Sequence, residues 1–232
     1  MSDLVSDGVL RVGINLGNPV LAQGTAEAPS GVSVDIGREI ATRLGASVEL
    51  VCFGAARESL AALVDGRVDV GFLALEPARE NEVAFTAPYV MIEGVYAVPR
   101  ASRIQGREDV DRAGVRVGVK RGSAYDLYLS RTLEHAEVVR GDEGVEIFRA
   151  EGLEVAAGIR QPLSEYVAAN EDLRLIDERF MEIRQAVAIR RGRRPETLRF
   201  LAEAVEDLKS SGFIAAALER SGHSPDLVAP PA

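Results

Sequence analysis

The chain has a single cysteine, Cys52, among its 232 residues, so it can form neither an internal disulfide nor a thiolate metal cluster. Cys52 lies in an apolar stretch, which favours a buried, unreactive thiol over a nucleophile. No apolar run approaches the ~18 residues that a membrane-spanning helix needs. The N-terminal residues lack the basic and apolar regions of a secretory leader. The sequence therefore predicts either a cytoplasmic protein or the mature domain of an exported one.

Positive charge is also scarce. The chain carries 27 lysines and arginines against 36 acidic residues, a formal net charge of -9. This balance argues against binding to nucleic acids, and no nucleic-acid partner is expected. The one basic cluster, residues 190–194, stands between a strand-like and a helix-like run and is interpreted as a solvated turn. An acidic surface of this kind is typical of a soluble monomer.

The residue patterns of common enzyme classes are missing. His135 and His223 lie in polar contexts, and neither stands in a motif with Cys52 that would activate a nucleophile. There is no P-loop, no dinucleotide fingerprint and no zinc-protease motif. No catalytic residue, metal ligand or cofactor is predicted.

The first third of the chain alternates strand-like and helix-like segments. Strands are predicted at residues 10–14, 48–53 and 68–75, with helices before and after the second of them. The run at 68–75 is almost continuously apolar, as expected for a parallel strand covered on both faces. This order is typical of a parallel α/β sheet with right-handed crossovers.

The pattern then restarts and predicts a second α/β lobe. Its strands are expected at residues 115–119, 138–139 and 155–159, with helices at 123–133 and 145–150. Extended segments near 90–98 and 180–188 would join the lobes as a two-strand hinge. Helices at 195–210 and 212–220 follow, and the tail at 225–232 is predicted to be frayed. The predicted lobes are residues 1–92 with 186–232, and residues 93–185.

Two segments end predicted strands with groups that suit an anion. The first runs from residues 66–71 to Arg79, which places one guanidinium in a polar turn after a buried strand. The second runs through residues 115–121 and ends in Gly122 and Ser123 ahead of a helix, whose N–H groups favour anions. Two such devices on separate sheets predict a cleft between two lobes.

The chain resembles the extracellular solute-binding proteins of polar amino-acid ABC transporters. The features that carry the resemblance occur in the family's order and span nearly the whole chain. The matching landmarks are residues 10–13, 31–36, 63, 66–70, 79, 85–89, 117–119, 122–123 and 211–213. The resemblance implies the type II periplasmic-binding fold, with two lobes that are each a mixed, mostly parallel sheet flanked by helices. It also implies a small-molecule ligand, a transporter permease as partner and an extracytoplasmic location.

The resemblance implies roles for three of these residues. The family arginine that matches Arg79 grips the ligand's α-carboxylate with a bidentate guanidinium. The turn that matches Gly122 and Ser123 donates a hydroxyl and backbone N–H groups to the same carboxylate. Each assignment has a structural alternative: Arg79 as a solvated loop arginine, and Ser123 as the N-cap of the next helix.

The chain departs from the family where an amino-acid ligand would place its ammonium group. The family aspartate at that point is Arg160 here, and a cation cannot receive an ammonium. The departure predicts a small organic anion, a mono- or dicarboxylate, although Glu76 facing the ligand would allow an amino acid. Arg160 could instead bridge the lobes through Glu76 or Glu93. The predicted ligand-binding residues are Asn18, Phe72, Ala74, Leu75, Glu76, Arg79, Gly122, Ser123, Ala124 and Arg160.

Two alternatives to a transport protein follow from the same resemblance. Some proteins of this fold are cyclohexadienyl or arogenate dehydratases, in which a cleft carboxylate acts as general acid; Glu76 or Glu93 would take that role. Others are ligand-sensing modules attached to a further domain. The missing acid at position 160 counts against the first, and the absence of an attached domain counts against the second.

Overall fold

The computed structural model describes residues 3–232, which form two compact units. Unit 1 comprises Met1–Met91 and Arg184–Ala232, and unit 2 comprises Ile92–Ile183. The strands are β1 (Val9–Asn15), β2 (Gln23–Gly24), β3 (Pro29–Ser30), β4 (Ser47–Phe53), β5 (Val70–Ala74), β6 (Val83–Pro99), β7 (Arg116–Lys120), β8 (Glu137–Gly141), β9 (Val155–Ile159) and β10 (Leu173–Arg190). The α-helices are α1 (Val32–Arg43), α2 (Ala56–Val64), α3 (Ala124–Thr132), α4 (Gly144–Glu151), α5 (Arg160–Ala168), α6 (Pro195–Ser210) and α7 (Phe213–Arg220).

The sheet of unit 1 has the strand order β4-β1-β5-β10. Strands β4, β1 and β5 are parallel, and β10 pairs with β5 in the antiparallel sense. All five residues of β5 are buried, and the core against which it packs includes Leu63 of α2, Val83 of β6 and Ala188 of β10. Gly37 lets α1 lie close to β1, because a Cβ there would be 2.8 Å from Val12 Cγ1.

The sheet of unit 2 has the order β6-β9-β7-β8. Strands β9, β7 and β8 are parallel, and β6 is antiparallel to β9. The core of this unit joins Val95 and Ala156 of the sheet to Phe148 of α4 and Leu163 of α5. The predicted α/β class, with mostly parallel sheets flanked by helices, is confirmed in both units.

Helix α5 was missing from the predicted elements. The helix begins with Arg160, Gln161 and Pro162. Leu163 is its only fully buried residue, because the helix has no regular stripe of apolar residues from which it could be predicted. Proline is tolerated in the first turn because the N–H that it lacks would have no partner within the helix. Strand β10 also begins at Leu173, before the extended segment that was predicted near 180–188.

The C-terminal tail is ordered, so the prediction of a frayed end was wrong. Residues Pro225–Leu227 form a 3-10 turn, and Val228 makes a β-bridge with Val90. Ala229 is buried, and its N–H donates to the carbonyl oxygen of Tyr89 at 3.1 Å. Hydrogen bonds to the backbone of β6 thus hold the tail in unit 1.

Cys52 is partly exposed rather than buried, because it lies on β4 at the edge of the sheet. Partial burial, together with the charge of Glu27, raises the pKa of the thiol, which disfavours the reactive thiolate. Within residues 3–232, we find no helix with the length and apolar character needed to cross a membrane.

Candidate functional site

The carboxyl ends of β1 and β5 meet at one edge of the unit 1 sheet, because these strands are parallel neighbours. Asn18 follows β1, while Glu76 and a 3-10 turn that ends at Arg79 follow β5. The fold therefore brings these three predicted residues to the same edge. In sheets of this class, ligands bind beyond the carboxyl ends of the strands.

Arg79 is buried, with 2% of its surface exposed. Its Nη1 donates to the carbonyl oxygen of Ala74 at 3.1 Å. Burial lowers the pKa of Arg79 to about 10, and the nearby charge of Glu76 partly opposes that shift. The side chain is therefore cationic at neutral pH, and the alternative of a solvated loop arginine was wrong.

Glu76 is as buried as Arg79, so unit 1 holds a carboxyl group and a guanidinium together at this edge. Phe72 and Ala74 lie on β5 and are buried, and Phe72 packs edge-to-face on Tyr89 with ring centroids 5.7 Å apart. Leu75 is half-buried, and its N–H donates to the carbonyl oxygen of Arg184.

Asn18 is 5% exposed, in the loop after β1. Among residues 3–232, its Oδ1 has no hydrogen-bond partner. A buried polar atom without a partner lowers stability, so its presence at this edge supports a functional role.

In unit 2, Ser123 caps α3: its Oγ accepts a hydrogen bond from the backbone N–H of Asp126 at 3.0 Å. The Asp126 carboxylate in turn accepts from the backbone N–H of Gly122 at 2.8 Å. Gly122 has a φ of 71°, a backbone conformation that favours glycine, and Ala124 begins the helix as a buried residue. Capping by Ser123 is confirmed, and an internal carboxylate occupies the N–H group of Gly122.

Two further side chains hold this turn in place. Arg140 Nε donates to Asp126 Oδ1 at 2.9 Å. Tyr125 hydrogen-bonds to the Ser123 side chain, and burial raises the pKa of this tyrosine. The spacing from Ser123 to Asp126 resembles a capping box, so the sequence carried a signal for Asp126 that the predicted site omitted.

Arg160 is the first residue of α5 and lies at the carboxyl end of β9. Its Nε donates to Glu93 Oε2 at 2.5 Å, and its Nη2 donates to the carbonyl oxygen of Asp177 at 2.5 Å. Glu93 and Arg160 both belong to unit 2. The salt bridge to Glu93 therefore exists, but the hypothesis that it joins the two lobes was wrong.

Glu93 has a second cationic partner, because Arg179 Nη1 donates to its other carboxylate oxygen at 3.1 Å. Burial alone would raise the pKa of Glu93, but the hydrogen bonds from Arg160 and Arg179 outweigh it and hold that pKa below its usual value. Arg179 was not predicted as a partner of Glu93, because nothing in the sequence around Arg179 indicates which residue of another strand it contacts.

Among residues 3–232, no group of three histidine, cysteine or acidic side chains is placed to hold a metal ion.

Comparison with known proteins identifies the family. Residues 10–223 match the model of the bacterial extracellular solute-binding proteins, family 3. No curated protein sequence matches the chain. Among solved structures, the cysteine-binding protein from Campylobacter jejuni is 21% identical, with 97% of this chain and 96% of that one covered and a TM-score of 0.79.

Two other similar structures carry further information. The amino acid ABC transporter substrate-binding protein AbpA from Streptococcus pneumoniae, bound to L-arginine, is 20% identical; the alignment covers 94% of this chain and 96% of that one, with a TM-score of 0.77. The ancestral amino acid-binding protein AncCDT-1, a precursor of cyclohexadienyl dehydratase, is 21% identical; the alignment covers 92% and 94%, with a TM-score of 0.75. These likenesses confirm the type II periplasmic-binding fold, and the chain belongs to the bacterial extracellular solute-binding proteins of family 3.

Proposed function

We propose that this chain is the solute-binding component of an ABC uptake system and that it binds a small organic carboxylate through Arg79. The observation that carries the proposal is the buried guanidinium at the carboxyl edge of the unit 1 sheet. Burying an arginine costs several kcal/mol unless charged partners compensate, on the order of the penalty for any buried ion. A carboxylate ligand would meet a planar, preoriented cation there.

Units 1 and 2 would be the two lobes of the binding protein. In this proposal, a ligand first contacts Arg79 of unit 1, and Gly122, Ser123 and Arg160 of unit 2 then close over it. The ligand shifts the balance between open and closed forms only through its contacts with the second lobe. The cognate permease would recognise the closed form, outside the cytoplasm, with the binding protein as a monomer.

The charges favour a carboxylate over a standard amino acid. Position 160, which takes the ligand's ammonium in the family's amino-acid binders, carries a guanidinium that is paired with Glu93. A buried carboxylate at Glu76 is the remaining group that could accept an ammonium in unit 1. The known ligands of similar structures, L-arginine and cysteine, make amino acids the necessary comparison.

Calorimetry with propionate, succinate and L-alanine would test the proposal. Propionate and succinate should bind, and L-alanine should bind at least about tenfold more weakly, since its ammonium would meet no acid at position 160. Tighter binding of L-alanine than of propionate would indicate that Glu76 accepts the ammonium group. It would contradict the proposal that the ligand is a carboxylate without an amine.

The variant Arg79→Lys keeps the charge and loses the bidentate geometry, so it should weaken propionate by about tenfold or more. Arg112→Lys is the matched control, because it makes the same substitution at an exposed arginine of unit 2, which pairs with Asp109. Equal affinity of the wild-type chain and the Arg79→Lys variant would remove Arg79 from the site.

A dehydratase is the second candidate, supported by the buried acid Glu76 beside Arg79 and by the likeness to AncCDT-1. Such an enzyme would use Glu76 as general acid on a cyclohexadienyl carboxylate held by Arg79. Formation of an aromatic product, followed by ultraviolet absorbance, tests this directly. Turnover that Glu76→Gln abolishes would establish the enzyme; no turnover above the buffer rate would exclude it.

A further inference from the structure

We propose that Gln23 and His223 are positioning residues for the candidate site of unit 1. They hold the loop that carries Asn18, residues 16–22, and thereby raise the affinity for the ligand. The inference rests on the proposed function, because it concerns the same site, and all of its residues belong to unit 1. Neither Gln23 nor His223 contacts the ligand in this proposal, so both act through Asn18.

The side chain of Asn18 has no hydrogen bond through its oxygen that could fix it. It is buried, and among residues 3–232 its Oδ1 has no hydrogen-bond partner. Its place is therefore set by packing and by the backbone of the loop. There the carbonyl oxygen of Asn18 accepts from the N–H groups of Leu21 and Ala22, both at 3.0 Å. Contacts that fix the backbone beside Asn18 also fix its buried amide.

The carbonyl group of Pro19, the next residue, is held from outside the loop. Gln23 Nε2 donates to this oxygen at 3.0 Å, and His223 Nε2 lies 3.2 Å from it. Gln23 Nε2 also donates to the carbonyl oxygen of Ser221 at 3.1 Å and lies 3.2 Å from His223 Nε2. Segments near the two ends of the chain thus meet at one carbonyl group of the loop.

The donors of this network match its acceptors. A side-chain amide has two N–H groups, so Gln23 can serve the carbonyl oxygens of Pro19 and Ser221 and has none left for His223. A carbonyl oxygen accepts two hydrogen bonds, so that of Pro19 can also accept one from His223. His223 is therefore assigned the form with a proton on Nε2. With this assignment all of these hydrogen bonds are made, and a fully satisfied network is rigid.

The network is anchored on helix α7, which is part of the core. Ser221 is the C-cap of α7, and its N–H donates to the carbonyl oxygen of Ala217 at 3.2 Å. The N–H of His223 donates to the carbonyl oxygen of Leu218 at 2.9 Å. Ala217 and Leu218 are fully buried. The loop is therefore tied to a packed helix rather than to another surface loop.

Holding the loop before the ligand arrives has a direct effect on affinity. A loop that becomes ordered only on binding costs free energy, and this cost reduces the affinity. Asn18 and Arg79 stand at the same edge of the unit 1 sheet, because they follow parallel neighbouring strands. A loop that is already in place thus presents Asn18 beside a guanidinium that is already buried.

The first test needs no ligand. Gln23→Ala removes both N–H donors, so the amides of Leu21 and Ala22 should exchange with solvent about tenfold faster, as measured by NMR hydrogen exchange. His223→Ala should act in the same direction. His223→Gln keeps an N–H donor close to the position of Nε2, so exchange should stay within about twofold of the wild-type rate.

The second test separates positioning from stability. Gln23→Ala should weaken the binding of propionate by about tenfold in calorimetry, and urea unfolding checks that the variant is folded. In the Asn18→Ala background, the same substitution should change the affinity by less than about twofold, because the residue through which Gln23 acts is gone. A general loss of stability would weaken binding equally in both backgrounds.

Gln105→Ala and His135→Ala are the matched controls in unit 2. Gln105 is exposed and donates to the carbonyl oxygen of Ser102 at 3.1 Å, and His135 is exposed. Each control should leave loop exchange and propionate affinity within about twofold of the wild-type values, as expected of surface substitutions.

The outcomes distinguish the two proposals. Three results would each overturn the positioning role and leave the proposed function standing: unchanged exchange of the two loop amides in Gln23→Ala, unchanged propionate affinity of that variant, or an equal loss of affinity in the wild-type and Asn18→Ala backgrounds. A wild-type chain that does not bind propionate would overturn both.

Discussion

Two arginines, one in each unit, follow the carboxyl end of a parallel strand, and they have opposite environments. Arg79 in unit 1 is 2% exposed, whereas the side chain of Arg160 in unit 2 is 29% exposed. Arg79 donates to a backbone carbonyl of its own strand, whereas Arg160 donates both to the side chain of Glu93 and to the carbonyl oxygen of Asp177. The comparison indicates that the charge in unit 1 is enclosed by the protein, whereas the charge in unit 2 remains partly open to solvent.

The difference follows from the segments that hold the two residues. Arg79 ends a 3-10 turn directly after β5, a strand whose five residues are all buried, so the turn lies against the core. Arg160 begins a helix whose only fully buried residue is Leu163, so its side chain stays near the surface. A buried charge is difficult to rearrange, whereas an exposed ion pair exchanges partners at little cost.

The largest effect should come from breaking the buried charges of unit 1. Arg79→Met leaves the buried carboxylate of Glu76 without its cationic neighbour, so the free energy of unfolding should fall by about 3 kcal/mol or more. Adding Glu76→Leu to this variant should restore much of that loss, because the buried carboxylate that lost its neighbouring cation is then gone. Urea unfolding measures both; a loss below 1 kcal/mol for Arg79→Met, roughly the value of an exposed pair, would contradict the comparison.

The next largest effect on stability is expected from the C-terminal tail of unit 1. Ala229→Pro removes the buried N–H that donates to Tyr89 and should lower the free energy of unfolding by about 1–3 kcal/mol. Ala232→Pro is the matched control, because its N–H donates to the side chain of Glu206 at an exposed position. If urea unfolding gave equal losses for both, the tail would not be an integral part of unit 1.

A smaller change, of opposite sign, is expected inside unit 1. Ser59 on α2 is fully buried, and among residues 3–232 its hydroxyl has no hydrogen-bond partner. Ser59→Ala removes that unpaired group and should raise the free energy of unfolding by up to about 1 kcal/mol. A loss of stability on thermal unfolding would show that the hydroxyl does have a partner, such as a buried water.

The smallest effect on stability is expected from the partly exposed salt bridge between Glu93 and Arg160 in unit 2. The pKa of Glu93 is below its usual value, so the pair stabilises the fold above the ordinary glutamate pKa, and this contribution is lost as the pH falls through the lowered value. Because the groups are partly exposed, the effect should be below about 1 kcal/mol. The stability difference between the wild-type chain and Glu93→Gln should shrink as the pH is lowered. A constant difference across this range would show that the charge of Glu93 does not contribute.

The sequence predicted the fold well because strand and helix periodicities are local properties. Alternating segments and apolar strands such as residues 68–75 were enough to predict mostly parallel sheets. Helix α5 was missed because its apolar residues do not recur at helical spacing. The order of the tail was not predicted because its partners, Tyr89 and Val90, lie far away in the sequence. The α3 cap at Ser123 was predictable, since a cap depends on its neighbours in the chain.

The candidate site was predictable only in part, for a related reason. Arg79 was predicted from the buried strand that precedes it, and Glu76 and Asn18 were predicted from the resemblance to the family. The contacts of Glu93 with Arg160 and Arg179 join β6, α5 and β10, so they depend on how distant segments align. Phe72, which was predicted to bind the ligand, packs on Tyr89.

The discontinuity of unit 1 has a consequence for synthesis on the ribosome. Strand β5 pairs on one side with β1 and on the other with β10, and the whole of unit 2 lies between β5 and the part of β10 that pairs with it. Since the ribosome adds about 5–20 residues per second, the apolar edge of β5 remains without its β10 partner for on the order of ten seconds. Unit 2 is continuous in the chain and can fold during that wait. An unpaired apolar strand edge promotes aggregation, so the nascent chain should depend on chaperones most strongly in this interval.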